Sequence, residues 1–329
     1  MSKPLRRWAA SFAAACGVAS ATFAGVAPRG ARAAPPDDDA VRAALVGRVL
    51  EGPTAARADA VARLLSDDAT GAGFAAVAGA VAELEKRKDA PALVDVARQL
   101  GRPGLEKGVA TLVGMLDAKD AELRATAAVS LEHVGSAAAV GALLARLDRE
   151  KDDAVLAHVL RAVGRCGARE DRVRAALDRR AASGKTEALC CAAVIGLAHA
   201  KGDAATARVL EEHLTRVGPP GFGRRADKGV NSLKRVYLGW ALATVGDPKS
   251  AAYVREKLLK PLEHVTGGPV VDAVITFYVA VHDVCAGRPD VMTTVEAGAK
   301  TVLATYGNPL TAEARKHRAF SSYVPLAEW

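Results

Sequence analysis

Aromatic side chains are scarce in this chain of 329 residues, only 4%, and there are only five cysteines. So few cysteines exclude a small disulfide-stapled fold. With 50% apolar residues and so few aromatics, the apolar content falls on Ala, Val and Leu, which suits helices packed closely through small side chains. No run alternates β-branched with polar residues, so strands are not expected. Catalytic signatures are missing as well: HExxH, CxxC, CxxCH and GxSxG do not occur. The seven histidines, His133, His158, His199, His213, His264, His282 and His317, never stand three or four residues apart. No helix therefore offers a paired-histidine metal site, and each reads as a surface or helix-end residue. Ser183-Gly184-Lys185-Thr186 looks like the end of a phosphate loop, but Arg179 stands where its first glycine belongs. Gly221 to Ala226 matches a dinucleotide fingerprint, yet Pro219-Pro220 occupies the place where the preceding strand would end. The sequence predicts no catalytic residue, no metal and no cofactor.

What is present begins with a leader. Lys3, Arg6 and Arg7 precede an Ala-rich apolar stretch from Trp8 to about Val26, and Ala31-Arg32-Ala33 places small residues where a signal peptidase reads. Residues 1–33 are expected to be a secretory signal cleaved after Ala33, with the chain exported to the periplasm, envelope or exterior. Arg6-Arg7 has a twin-arginine look without the usual bulky apolar residues after it. Ala13 to Cys16 resembles a lipobox, which keeps a lipid anchor on Cys16 open as a minority reading. The leader carries five of the 45 basic residues and no acid, so without it 40 basic residues face 37 acidic ones. That near balance gives no reason to expect a nucleic-acid partner. No transmembrane segment is expected after the leader. Cys166, Cys190, Cys191 and Cys285 read as small buried hydrophobes, not as disulfide partners.

The strongest internal signal is repetition. Glu122–Leu147, Ala154–Leu177 and Leu233–Leu258 each show an apolar helical stripe, a turn at glycine and a second stripe. The turn glycines Gly101, Gly135, Gly167, Gly202, Gly246 and Gly287 lie 34, 32, 35, 44 and 41 residues apart. Glycine suits the left-handed position that closes a helix. Arg124 and Arg235 both stand eleven residues before their glycine, and Gly202-Asp203 and Gly246-Asp247 share a dipeptide.

These residues resemble the HEAT-like repeats named after phycobilisome lyases, over about Asp89 to Val291. That family has an Arg early in its first helix, an Ala-Leu pair before a Gly, and often Gly-Asp at the turn. The resemblance implies an all-α, right-handed α-solenoid of antiparallel helix pairs. It does not imply lyase activity, because the scaffold serves many functions; a bilin lyase or isomerase type of enzyme, or its subunit, is the alternative it suggests. The expected organisation is a signal at 1–33, a helical cap at 34–88, a repeat array at 89–293 and a C-terminal cap and tail at 294–329.

The 44-residue spacing exceeds the three before it by roughly ten residues. Val217–Val230, VGPPGFGRRADKGV, carries Pro219-Pro220 and four glycines, which exclude a helix and mark an inserted loop. Phe222, Arg224, Arg225 and Lys228 make it the candidate binding element, since an aromatic beside guanidinium groups is a common contact surface; a plain solvated loop is the competing reading. Ten of the eleven aromatics after the leader lie in or beyond this segment, and Tyr237 and Trp240 are expected in the core. Arg146, Arg149, Arg174, Arg179, Arg180, Arg208 and Arg255, interleaved with Asp148, Asp178, Glu211, Glu212 and Glu256, read as a solvated face. The functional expectation is an exported, non-catalytic scaffold that binds a protein or peptide.

Overall fold

The structure is a computed structural model and describes residues 38–66, 71–217, 230–263, 268–306 and 310. The leader, with Ala33 and Cys16, lies outside these residues. Among the described residues the chain is all-α, with fifteen α-helices and no strand.

Three helices come first: α1 (Asp38–Glu51), α2 (Thr54–Ser66) and α3 (Ala72–Arg87). Gly52-Pro53 separates the first two, because proline cannot continue a helix through its missing N–H. Then come helix pairs. The leading members are α4 (Ala90–Leu100), α6 (Ala121–Val134), α8 (Asp153–Gly167), α10 (Glu187–Ala198) and α12 (Val230–Val245). The trailing members are α5 (Val109–Met115), α7 (Val140–Arg149), α9 (Asp171–Ser183), α11 (Ala204–Val217) and α13 (Ser250–Tyr253), the last running into a π-helical turn over Val254–Leu259. Two further helices, α14 (Gly268–Cys285) and α15 (Met292–Tyr306), follow.

Four leading helices start at a side chain that accepts from their own first turn. Asp89 caps Ala92 N at 3.1 Å, Asp120 caps Leu123 N at 2.8 Å, Asp152 caps Ala154 N at 2.9 Å and Thr186 caps Leu189 N at 3.3 Å. Each such cap contributes about 1 kcal/mol. Four of the six turn glycines take the expected left-handed backbone: Gly135, Gly202, Gly246 and Gly287. Gly101 does not, with φ −78°. It is glycine for another reason, since a Cβ there would sit 2.6 Å from that of Ser130 on α6.

The leading helices contact one another in series. α2 packs on α4, α4 on α6, α6 on α8, α8 on α10 and α10 on α12, while each trailing helix lies against the leading helix that follows it. α10 is apolar all round, and every residue after Glu187 is buried, as such a helix must be. The contact between α8 and α10 is closest at Gly164 and Gly196, where a Cβ on Gly164 would fall 2.2 Å from the Gly196 carbonyl oxygen. Only glycine lets two backbones approach so far.

An arginine device recurs. Arg57 Nε donates to Val49 O at 2.9 Å, Arg124 Nη1 to Ala118 O at 3.0 Å and Lys119 O at 2.8 Å, and Arg235 Nη2 to Val217 O at 3.0 Å. Each reaches back to the C-terminal end of a preceding segment, whose last carbonyls lack helical partners. Arg124 also holds Glu150 through Nε at 2.9 Å and Nη2 at 3.1 Å, and Arg146 binds the same carboxylate at 2.6 Å.

Tyr237 and Trp240 are buried, as are Phe277 and Tyr278 on α14, so the C-terminal aromatics within the described residues include a set that builds core. Cys166, Cys190, Cys191 and Cys285 are free and buried, and burial pushes the thiols of Cys166 and Cys285 up to about 12. Two sequence expectations need correction. His158 and His213 are buried, not at the surface; His213 Nε2 meets Asp178 of α9 at 2.8 Å, a cross-helix partner invisible in linear spacing. Arg146 and Arg174 are not on a solvated face: they are largely covered and pair with Glu150 and Asp203. Glu150 lies one turn beyond Arg146 but is buried against Arg124 of α6, and Asp203 lies 29 residues beyond Arg174, so neither setting shows in the charge pattern of one helix.

Candidate functional site

Phe222, Arg224, Arg225 and Lys228 lie outside the described residues. Their segment leaves from the end of α11 and returns at the start of α12, and the Arg235 bond to Val217 O ties the departing end to α12.

The helix leading into it carries a cleft. α11 starts at Asp203, whose carboxylate accepts from Thr206 N at 2.9 Å and from Thr206 Oγ1 at 2.5 Å. Thr206, Ala207, Leu210, His213 and Leu214 form its buried face. Arg208, Glu211, Glu212, Thr215 and Arg216 stand at the spacing of a single helical stripe on another face. With Tyr253 of α13 they line an open cleft of about 380 Å³.

Tyr253 fixes the cleft wall. Its Oη donates to Glu211 O at 2.9 Å and lies 3.0 Å from Thr215 Oγ1. Ser250 Oγ donates to Glu211 Oε1 at 2.7 Å, so both ends of α13 are pinned to one turn of α11. Directly after Tyr253 the chain widens into the π-helical turn, a local irregularity often found beside functional surfaces. Burial, aided by the Glu211 charge and opposed by Thr215, raises the Tyr253 phenol. It is therefore a neutral hydrogen-bonding group near neutral pH, not an acid or base. Arg216 pairs with Glu212 at 3.2 Å.

The lining holds two arginines, two glutamates, one threonine and one tyrosine. This arrangement can grip polar and charged groups of either sign. Among the described residues no group of three or more His, Cys, Asp or Glu could hold a metal ion, and no helix is long and apolar enough to cross a membrane.

Reading the sequence placed the interest on the inserted segment and took Arg208, Glu211 and Glu212 as merely solvated. It missed Thr215 and Tyr253. The stripe from Arg208 to Arg216 was visible in the spacing, but the partner helix that turns it into a cleft lies about forty residues further on. No family model, curated protein or solved structure matches the chain.

Proposed function

We propose that this chain is an exported, non-catalytic α-solenoid that works as a scaffold for a protein or peptide partner. The observation that carries the reading is the serial packing of leading helices from α2 to α12, one helix pair after another. Arrays of that kind expose long, continuous surfaces suited to extended partners. The right-handed superhelix and the HEAT-like character of the pairs belong to this proposal, as does removal of residues 1–33; recovery of the exported protein with Ala34 at its N-terminus supports the export part.

The contact surface we assign is the α11–α13 cleft together with Phe222, Arg224, Arg225 and Lys228 on the segment that leaves α11. Two features support it. The insertion lengthens the period beyond the three spacings before it, and the helix it leaves presents a mixed-charge cleft walled by a tyrosine. Interfaces draw much of their energy from a few aromatic and arginine residues.

The test is the triple variant Phe222→Ala, Arg224→Ala, Arg225→Ala, compared with wild type in melting temperature and in capture of partners from envelope extract. The expected result is an unchanged melting temperature with capture weakened by about fivefold or more, because truncated anchors commonly cost above about 1 kcal/mol. Unchanged capture at an unchanged melting temperature would remove the segment from the contact surface. A collapsed melting temperature would make Phe222 part of the packing instead.

A further inference from the structure

Taking the chain as the scaffold proposed above, on which the inference rests, we propose that the α11–α13 cleft receives an amphipathic helix of another protein whose charges run acid, base, acid at four-residue steps. The charges of the cleft all come from α11. Arg208 opens the stripe, Glu211 and Glu212 form its middle turn, and Arg216 closes it. At a rise of about 1.5 Å per residue, the two arginines stand about 12 Å apart along the helix, with the acids between them. Glu212 and Arg216 are more than half exposed and hold one another at 3.2 Å. Arg208 is exposed, and among the described residues no carboxylate pairs with it. The cleft thus presents base, acid, base to whatever lies along it.

The uncharged groups decide for a helix over an extended segment. Thr215 Oγ1 donates to Glu211 O at 2.9 Å, Tyr253 Oη donates to the same oxygen at 2.9 Å, and Ser250 Oγ donates to Glu211 Oε1 at 2.7 Å. The hydroxyl protons around the cleft are therefore spent on α11 itself. An extended segment brings backbone N–H and C=O groups that need partners, and only charged side-chain ends are left to meet them. A helix arrives with its backbone already bonded and offers side chains alone. Its residues four apart rise by about 6 Å, which is the step from Arg208 to Glu212 to Arg216. Tyr253, pinned through its hydroxyl, gives the wall against which an apolar side chain between those charges can rest.

The charge order also discriminates among occupants. A second copy docked two-fold about Glu212 sets acid on acid and arginine on arginine, which like-charge repulsion disfavours. A copy shifted by one turn matches only two of the three positions. A polyanion such as a nucleic-acid strand meets Glu211 and Glu212 between the two arginines.

The test is a display library of helix-forming peptides of about 17 residues, randomised on one face and selected against the full chain. Enriched peptides should share the acid-x3-base-x3-acid stripe. Made synthetically, they should bind wild type and lose about fivefold or more against Arg208→Glu. Raising salt from about 0.05 M to about 0.5 M should weaken them too, because exposed charges are screened. Changing to Lys the peptide acid that faces Arg208 should weaken binding to wild type and restore it to Arg208→Glu, a reciprocal exchange that misfolding cannot produce. Arg208→Gln, which adds no carboxylate beside Glu212, is the second variant and should weaken the original peptides without the reversal.

No enrichment, enriched peptides without this charge order, acids and bases spaced two apart as in an extended segment, or affinities indifferent to Arg208→Glu would each overturn the proposal. Sedimentation showing a dimer that Arg208→Glu dissociates would overturn it in favour of a second copy. The scaffold reading is judged separately, by capture from envelope extract on the wild-type chain. Capture that persists in Arg208→Glu, with no stripe selected, sinks the charged-helix inference alone.

Discussion

Replacing Glu150 with Ala should destabilise the protein by about 3–5 kcal/mol, the usual cost of removing one partner from a buried ion pair. Its side chain is 2% exposed and receives two guanidinium groups, Arg124 from α6 and Arg146 from α7. It also accepts from the backbone N–H groups of Lys151 and Asp152, both at 2.9 Å. One carboxylate thus joins a leading helix, a trailing helix and the turn that starts the next pair. The alanine variant leaves two largely buried arginines facing each other. Glu150→Gln keeps the volume and some hydrogen bonds and should lose less. Burial alone would raise the Glu150 carboxyl; the bonds from Arg124, Asp152 N, Arg146 and Lys151 N outweigh it and hold it at about 2. A depressed carboxyl stabilises the fold fully above its unfolded value, near 4.5, and loses that contribution as pH falls toward about 2. Between those limits the share is about 3 kcal/mol. Urea titrations at pH 7 and pH 3 check both points. The gap between wild type and Glu150→Ala should be wide at pH 7 and narrower at pH 3. A gap below about 1 kcal/mol at pH 7 would show that the network contributes little.

A second large effect is expected at Gly164. Any side chain there would place its Cβ 2.2 Å from Gly196 O and 2.3 Å from Gly196 Cα. Both are backbone atoms, so no rotamer change relieves the clash, and α8 and α10 must move apart. Gly164→Val should cost about 3 kcal/mol or more, at or beyond the upper end of ordinary overpacking. Gly164→Ala should cost less, because better helix propensity returns about 1 kcal/mol. The internal control is Gly79→Ala in α3, where an added Cβ meets nothing within 4 Å; it should be neutral or stabilising by up to about 1 kcal/mol. Denaturant melts of the three variants decide the matter. If Gly164→Val matches Gly79→Ala in sign, the helix contact is looser than these distances state.

The helices were legible because their signals are local. The apolar stripes and the breaks at Gly52-Pro53 and Gly135 mark helix ends from neighbouring residues alone. The all-round apolar run of α10, ALCCAAVIGLA, likewise announces a buried helix without knowledge of its neighbours. Arg124 stood out by its position in the repeat, but its partner Glu150 lies 26 residues away, across a turn, where no helical spacing connects them. Arg146 was misread for a related reason. An Arg among Asp and Glu on an amphipathic helix looks solvated until the turn that buries it is known. His213 and Asp178 are 35 residues apart, and the α11–α13 cleft joins residues separated by a whole repeat. Residue types and helix faces were thus readable for the candidate site, and the pairing of faces was not. The close contact at Gly164 was equally hidden, because the sequence there, AVGRCG, looks like an ordinary helix end.

The bond from Arg235 to the Val217 carbonyl has a bearing on how this molecule can change over time. It ties the departing end of residues 218–229 to the helix on which they return, so the array is joined independently of what lies between. For a flexible connection between two fixed ends, each doubling of length costs only about 0.6 kcal/mol. New sequence can therefore be spliced in here, by evolution or by hand, while the helical frame on either side keeps its register. The junction is a socket for grafted peptides, with α12 as its fixed rim.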